Sequence, residues 1–116
     1  MNEQDLVLTV PQAPPLDGVL RKVVHITPDL AWFEGHFPSE PVLAGVVQLK
    51  WAVEAASQLV APGDSVRSVQ QLKFKLPIRP PTVCELVVER VDAGRAVIFR
   101  FVSAAGEHSS GRLVYR

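Results

Sequence analysis

Residues 32–56 read WFEGHFPSEPVLAGVVQLKWAVEAA, and this stretch decides what kind of domain the chain forms. Its first part combines a glycine, a histidine and two prolines, which predicts a stiff, irregular segment. An apolar run then predicts the main helix, from Ala44 or Gly45 to about Val60. We expect the polar residues of this helix to share one side and the apolar residues to cover the rest, so that it is mostly buried. The polar residues are Gln48 (at the start), Lys50, Glu54, Ser57 and Gln58.

Strand patterns surround this helix. Residues 19–27 are rich in β-branched and apolar side chains and end before Pro28, which predicts a strand. Further strands are predicted at 69–78, 83–91, 96–104 and the end of the chain, joined by short turns. In the first of these, one face carries Leu72, Phe74 and Leu76, and the other carries Gln71, Lys73 and Lys75. One buried helix with about five antiparallel strands predicts an α+β fold whose sheet wraps the helix and leaves its other face or an edge free for a dimer partner.

Length and composition limit the possible classes of protein. The 116 residues predict a single domain, with residues 1–18 as an N-terminal extension or linker. Twelve basic residues balance twelve acidic ones, which argues against binding to nucleic acid or an anionic membrane. A single cysteine, Cys84, fits a reducing compartment, and the N-terminus lacks the pattern of a signal peptide. We therefore expect a cytoplasmic protein, without a metal site of Cys or His ligands.

The histidine in this stretch has two interpretations. His36 precedes a helix start at which Gly45 leaves the first N–H groups unshielded by a side chain. Such N–H groups polarise a carbonyl, and a nearby imidazole moves a proton at neutral pH, which suits proton abstraction next to a carbonyl. The alternative is a tight turn whose histidine bonds only to its own backbone.

The stretch GHFPSEPVLAGVVQLKWAVEAA resembles the signature of the hot-dog-fold β-hydroxyacyl-acyl-carrier-protein dehydratases. LKFKLPIRPPTVCELVV, residues 72–88, is similar to a strand, an Arg-Pro turn and the next strand of that family. The resemblance covers about residues 19–102. The sequence VVQLKWA, residues 46–52, is most similar to the branch of aryl-polyene and hydroxymyristoyl dehydratases.

This resemblance implies a long central helix wrapped by a curled antiparallel sheet of five to six strands. It also implies a homodimer, two acyl tunnels at the dimer interface and no cofactor. His36 matches the catalytic histidine, and Gly45, with Val46, matches the backbone donors to the thioester carbonyl. The expected tunnel residues are Trp32, Phe33, Phe37 and Pro38.

The sequence departs from the family where the acid is expected. Lys50 stands at the position of the catalytic Glu or Asp, and a lysine with the ordinary pKa of about 10.4 is a poorer proton donor. Glu54 follows four residues later on the same helix face, so the two either form a surface ion pair or Glu54 supplies the missing carboxylate. Ala44 replaces the usual proline before Gly45, which costs rigidity rather than chemistry.

Three functions remain open. The leading one is a hydro-lyase that converts a (3R)-3-hydroxyacyl thioester to the trans-2-enoyl thioester in fatty acid or polyene biosynthesis. The alternatives are a hot-dog thioesterase using Glu54, and an impaired acyl-binding subunit that pairs with a paralogue. The thioester carrier is either acyl-carrier protein or coenzyme A. An acidic carrier protein would dock on a basic patch at Lys73, Lys75 and Arg79, unless those residues form an ordinary solvated face.

Four other side chains are predicted to be structural. His25 lies in the middle of a strand and His108 lies near a turn. Cys84 alternates with apolar residues, which predicts a core thiol rather than a nucleophile. Trp51 is expected to pack against the sheet or against a dimer partner.

Overall fold

The computed structural model describes residues 17–28 and 42–115, which form one helix, five strands and a 3-10 turn. The elements are β1 Val19–Ile26, α1 Gly45–Ala56, β2 Val66–Phe74, β3 Thr82–Val91, the 3-10 turn Asp92–Gly94, β4 Ala96–Ser103 and β5 Gly106–Tyr115. Asp17 and Gly18 precede β1, and Asp17 Oδ1 accepts a hydrogen bond from the N–H of Val19. The rest of the predicted N-terminal extension lies outside the described residues.

The five strands form one antiparallel sheet in the order β1-β3-β4-β5-β2. This confirms the predicted α+β arrangement of one helix and five antiparallel strands. The hairpins β3–β4 and β4–β5 make the centre of the sheet, while β1 and β2 lie at its two edges. Within the described part of the chain, no helix is long and apolar enough to cross a membrane.

The core lies between α1 and one face of the sheet. On β1 every second residue is buried, and these residues are Leu20, Lys22, Val24 and Ile26. Trp51, Phe99 and Phe101 are fully buried, so the helix contributes its tryptophan to the same core as β4. The structure thus confirms that Trp51 packs inside the molecule, on the sheet side. Burial lowers the pKa of the Lys22 ammonium, because leaving water disfavours its charged form.

The helix ends earlier than its apolar pattern predicts. It was expected to reach about Val60, but it ends at Ala56 and continues as a tighter turn. The N–H groups of Gln58 and Leu59 donate to carbonyls three residues back, which is the 3-10 pattern. Ser57 Oγ donates to the Glu54 carbonyl at 2.6 Å, and such back-bonding by serine competes with regular helix bonding.

The strand predicted at 69–78 is shifted toward the N-terminus and carries a bulge. β2 spans Val66–Phe74, and its pairing with β5 changes register between Gln70 and Lys73. Gln71 adopts a φ of 55°, which breaks the simple alternation of the sequence pattern. The N–H groups of Lys75 and Leu76 both donate to the His108 carbonyl, and the strand ends before a proline that has no N–H to give.

Candidate active site

The start of α1 is fixed by a single backbone bond to the chain between β2 and β3. The N–H of Leu43 donates to the Ile78 carbonyl at 2.9 Å, and both side chains are buried. Ala44 is the N-cap residue, with φ −61° and ψ 144°. This φ is the one that proline imposes, so Ala44 keeps the backbone shape of the family's usual proline without its rigidity.

The first turn of α1 presents N–H groups that have no acceptor in the described part of the chain. Ala44 offers no side-chain acceptor to cap the helix, and no acidic side chain lies in the first turn. The carbonyl of Ala44 receives the N–H groups of Val47 and Gln48. The N–H groups of Gly45 and Val46 come before the first intrahelical bonds and have no acceptor within 17–28 and 42–115. They carry the partial positive charge of the helix N-terminus, which favours a carbonyl oxygen with developing negative charge.

A pocket of about 530 Å³ opens at this helix start. Its walls come from the segment entering α1, from the first turn of the helix, and from the end of β2 with the residues after it. They are Val42, Leu43, Ala44, Gly45, Gln48, Phe74, Lys75, Leu76 and Pro77. The walls are mainly apolar with few polar groups, as is usual for sites that bind small molecules or acyl chains.

Gly45 allows an aromatic ring to approach the helix start closely. A Cβ atom placed on Gly45 would lie 2.7 Å from Cζ of Phe74, well inside van der Waals contact. Phe74 therefore packs directly on the backbone at Gly45, although about half of its side chain remains exposed. The glycine, expected to serve as a carbonyl donor, also makes room for this wall of the pocket.

Gln48 lines the pocket and is buried, which corrects its predicted place on the polar side of the helix. At 3.6 residues per turn it lies about 200° around the axis from Lys50. It belongs instead to the apolar stripe that continues with Trp51, Ala52 and Ala55, all of them buried. The spacing i, i+3, i+4, i+7 from Gln48 indicates its buried placement. Grouping the helix residues by polarity alone does not show it.

The amide of Gln48 is only half satisfied. Its Nε2 donates to the Leu43 carbonyl at 3.0 Å, in a buried contact that ties the helix to the turn before it. Its Oε1 is buried and has no hydrogen-bond partner among the residues that the structure describes.

Lys50 and Glu54 form the ion pair that their spacing predicts. Lys50 Nζ lies 2.6 Å from Glu54 Oε1, and the two side chains are 46% and 38% exposed. Neither residue lines the pocket at the helix start of the same chain. The prediction of a helix-surface bridge is therefore confirmed, and any catalytic role for either residue stays a prediction.

The remaining predicted site residues divide into two groups. Gly45 lies in the pocket wall, while the neighbouring Val46 side chain is 72% exposed. His36 lies outside the described residues, and so do all four predicted tunnel residues: Trp32, Phe33, Phe37 and Pro38. Their roles stay predictions.

The rim of the pocket is basic and held in place by one ion pair. Lys75 lines the pocket, and its Nζ bonds to Glu107 at the start of β5. This bond holds the pKa of the Glu107 carboxyl below its usual range, and the positive charges of Lys75, Arg100 and Lys73 act in the same direction. Arg79 is exposed just beyond the pocket's last lining residue. Of the predicted patch, only Lys75 lines this pocket, where Glu107 pairs with its charge, whereas Lys73 lines a separate cavity with Ile98 and Arg112.

His108 is a structural histidine, as predicted. It is buried, its Nε2 lies 2.6 Å from Ser103 Oγ, and its Nδ1 lies 3.3 Å from the Leu76 carbonyl. It thus clamps the β4–β5 turn to the segment that forms the pocket rim. His25, by contrast, lies on the exposed face of β1.

Cys84 is the predicted core thiol. It is buried, and burial raises its pKa to about 11, so it stays protonated at neutral pH. Since the thiolate is the nucleophilic form, this cysteine is inert.

Comparison with known proteins identifies the family. The model of the ApeI-like family, described as ApeI dehydratase, matches residues 17–112, and the chain belongs to this family. The match confirms the resemblance to hydroxyacyl-acyl-carrier-protein dehydratases of the aryl polyene branch.

Solved structures confirm the hot-dog fold. The chain is 29% identical to a chain of the dehydratase heterocomplex ApeI:P from Xenorhabdus doucetiae, with a TM-score of 0.81 over 95% of this chain and 96% of that one. It is also 29% identical to an uncharacterised protein from Erwinia carotovora subsp. atroseptica, with a TM-score of 0.78 over 96% and 95%.

Curated relatives are 3-hydroxyacyl-[acyl-carrier-protein] dehydratases named FabZ. The Levilactobacillus brevis enzyme is 32% identical over 58% of this chain and 50% of its own length. The Polaromonas enzyme is 30% identical over 76% of this chain and 68% of its own length. The chain thus spans about half the length of the first of these relatives.

Proposed function

We propose that this chain removes water from a 3-hydroxyacyl thioester to give the trans-2-enoyl thioester. One C–H bond at C2 and the C–O bond at C3 break, the C2–C3 double bond forms, and the proton and hydroxide leave as water. The observation that carries this proposal is the pocket at the start of α1, where uncapped N–H groups meet mainly apolar walls. The family match supports dehydration as the chemistry of this pocket.

The N–H of Gly45 supplies the polarising group. A thioester carbonyl bonded to it gains negative charge as the C2 proton leaves, and the uncapped helix end stabilises that charge. His36 is the proposed base, because an imidazole takes a proton at neutral pH. The reaction involves no net change of oxidation state between substrate and products, so it requires no redox cofactor.

We propose acyl-carrier protein as the carrier, in fatty acid or polyene biosynthesis. Lys75 in the pocket wall, with Lys73 and Arg100 close enough to act on the same Glu107 carboxyl and Arg79 four residues along the chain, offers positive charge for such a carrier. An acidic carrier protein is steered by such charge in a manner that salt weakens. The FabZ relatives are named for substrates on this carrier, which supports the same choice here.

A dimer through β2 completes the proposal. β2 is an edge strand, and apolar side chains remain exposed along it and just beyond its end: Val69, Leu72, Phe74 and Leu76. Val46 at the helix start is exposed as well. An edge strand that displays apolar side chains is suited to pairing with a second chain.

The test is to incubate the purified protein with 3-hydroxyacyl-acyl-carrier protein and follow the products by mass spectrometry. We expect a loss of 18 Da, the mass of one water, and no such loss with His36→Ala. Release of free 3-hydroxy acid would instead make the chain a thioesterase. Wild-type protein that binds the thioester without turnover would favour the subunit role described next.

A second function is favoured by the Lys50–Glu54 pair. The ammonium stands where the family has an acid, and it is bonded to a carboxylate on the exposed side of the helix. The structure from Xenorhabdus doucetiae is a dehydratase heterocomplex, ApeI:P, which supports a role for this chain beside a paralogue that supplies the acid.

Lys50→Glu separates the two functions. In a self-sufficient enzyme, this change alters an existing rate; in an impaired subunit, it creates dehydration in a chain that had none. Lys50→Gln is the matched control, because it removes the positive charge without adding an acid. Equal gains from both variants would rule out an acid role for this position.

A further inference from the structure

The amide of Gln48 has a fixed orientation. The Leu43 carbonyl can only accept a hydrogen bond, so the amide group 3.0 Å from it is the NH₂ end. The other end of the side chain is therefore the oxygen, and its identity follows from the bonding partner. Oε1 can only accept, so whatever pairs with it must be a donor.

Leaving this buried oxygen without a hydrogen-bond donor costs free energy. Gln48 is 4% exposed, and its Oε1 is buried with no donor within the described ranges 17–28 and 42–115. Buried amide oxygens are nearly always hydrogen-bonded. Gln48 is among the residues that line the pocket, so a ligand seated there lies beside this side chain.

We propose that Gln48 Oε1 accepts a hydrogen bond from the 3-hydroxyl of the acyl chain. The inference rests on the proposed function and names the group that binds the substrate's hydroxyl. It makes Gln48 a substrate-binding residue that distinguishes 3-hydroxyacyl chains from saturated and enoyl chains.

The spacing along the helix favours the hydroxyl over other donors of the substrate. Gln48 follows Gly45 by three residues, about 4.5 Å along the helix axis. The 3-hydroxyl is two carbons from the carbonyl that Gly45 polarises. The carbonyl and the hydroxyl of one acyl chain can therefore contact Gly45 and Gln48 within the same turn of the helix. The amide N–H of the pantetheine arm lies on the far side of the sulfur, toward the carrier and solvent, whereas Oε1 is buried.

The same bond favours release of the product. The enoyl thioester has lost the hydroxyl and carries no donor at C3, so its binding leaves Oε1 unpaired again. Substrate binding therefore relieves the unpaired oxygen and product binding does not.

The experiment compares the binding of two acyl-carrier thioesters of equal chain length, one with and one without the 3-hydroxyl. All proteins carry His36→Ala to suppress turnover, and affinity is measured by calorimetry. We expect the otherwise unchanged protein to prefer the hydroxyacyl thioester by about tenfold, the worth of one net hydrogen bond. Gln48→Met keeps the size and flexibility of the side chain without its polar end, and is expected to bind both thioesters equally.

Gln58→Met is the matched control, because Gln58 lies beyond the end of α1 and does not line the pocket. Thermal melting of each variant shows whether it is folded. A preference retained in folded Gln48→Met overturns this inference and leaves the proposed function standing. Equal loss of affinity for both thioesters gives Gln48 a purely structural role and also overturns it. Protein that binds neither thioester before Gln48 is changed overturns the proposed function together with the inference.

Discussion

The two sides of α1 treat their polar residues in opposite ways. Gln48 is buried against the pocket, and its Oε1 has no donor among residues 17–28 and 42–115, whereas Lys50, two residues later, is half exposed and bonded to Glu54. A surface ion pair of this kind contributes little to stability, while a buried unpaired oxygen has a real cost. Free-energy costs that a native fold retains tend to lie at functional sites. This favours the pocket side of α1 as its functional side.

The sequence alone makes Lys50, on the exposed side of α1, the unusual residue. Lys50 departs from the family signature, and a departure from a pattern is easy to see. Gln48 breaks no rule that the signature states, because its importance depends on burial. The two sides should therefore differ in what a substitution on each of them costs.

Trp51→Ala tests whether the buried stripe that includes Gln48 anchors the helix. Trp51 is fully buried among core residues, so the substitution should lower the free energy of unfolding by about 3–5 kcal/mol. Urea unfolding followed by circular dichroism measures this change. Lys50→Ala, the neighbouring change on the exposed side, should cost about 0.5 kcal/mol or less. Similar losses for both would erase the contrast between the two sides.

Gln48→Glu puts a charge on the pocket side. An ionised carboxylate cannot donate to the Leu43 carbonyl, so stability at pH 7 should fall by about 1–3 kcal/mol. Burial raises the folded pKa of this carboxyl above its unfolded value of about 4.3, so the folded state binds the extra proton. The stability difference from wild type should therefore be small below about pH 4 and grow as pH rises through the folded pKa.

Unfolding curves between pH 4 and 8 measure how this stability difference changes with pH. Gln58→Glu serves as the control, because Gln58 is less buried than Gln48. A destabilisation that shrinks as pH rises would contradict the buried placement of Gln48.

Ala44→Pro sharpens the description of the helix start. The φ of −61° at Ala44 already suits proline, so the change should raise the free energy of unfolding by about 0.4–1 kcal/mol by restricting the unfolded chain. The comparison of melting temperatures with wild type measures it. A loss of stability would mean that the turn before α1 needs the N–H of Ala44 or a backbone shape at Leu43 that a following proline forbids.

The Lys50–Glu54 pair should show the smallest effect. A double-mutant cycle with Lys50→Ala and Glu54→Ala should give a coupling of about 0.3–0.5 kcal/mol at low salt and less at 1 M salt. A coupling well above 1 kcal/mol that resists salt would show that the pair is buried in an assembly, where an interaction across a dimer interface becomes plausible.

Most of the fold could be predicted from the sequence because its signals are local. The β-branched and apolar content of β1, the turn residues before β4 and the apolar run of α1 are each visible within a few neighbouring residues. The errors occurred where competing hydrogen bonds decide the outcome. Ser57 and the 3-10 bonds end the helix at Ala56, and the bulge at Gln71 shifts β2 against β5.

The candidate site was predicted in part. Gly45 at the helix start and the Lys50–Glu54 pair follow from position and spacing along one helix, and the structure places both as expected. The other walls of the pocket come from a segment some thirty residues away, Phe74 to Pro77, and no local pattern indicates that this segment meets α1.

Residue type and spacing along the chain were enough to identify the family, the order of helix and strands, and the residues at the signature positions. Which polar side chains are removed from water depends instead on tertiary contacts. Gln48 is buried because the sheet and the turn at Leu43 enclose it, and Lys50 is exposed because nothing in the described chain covers its side of the helix. Burial sets the cost of an unpaired atom, and burial is a property of the folded whole.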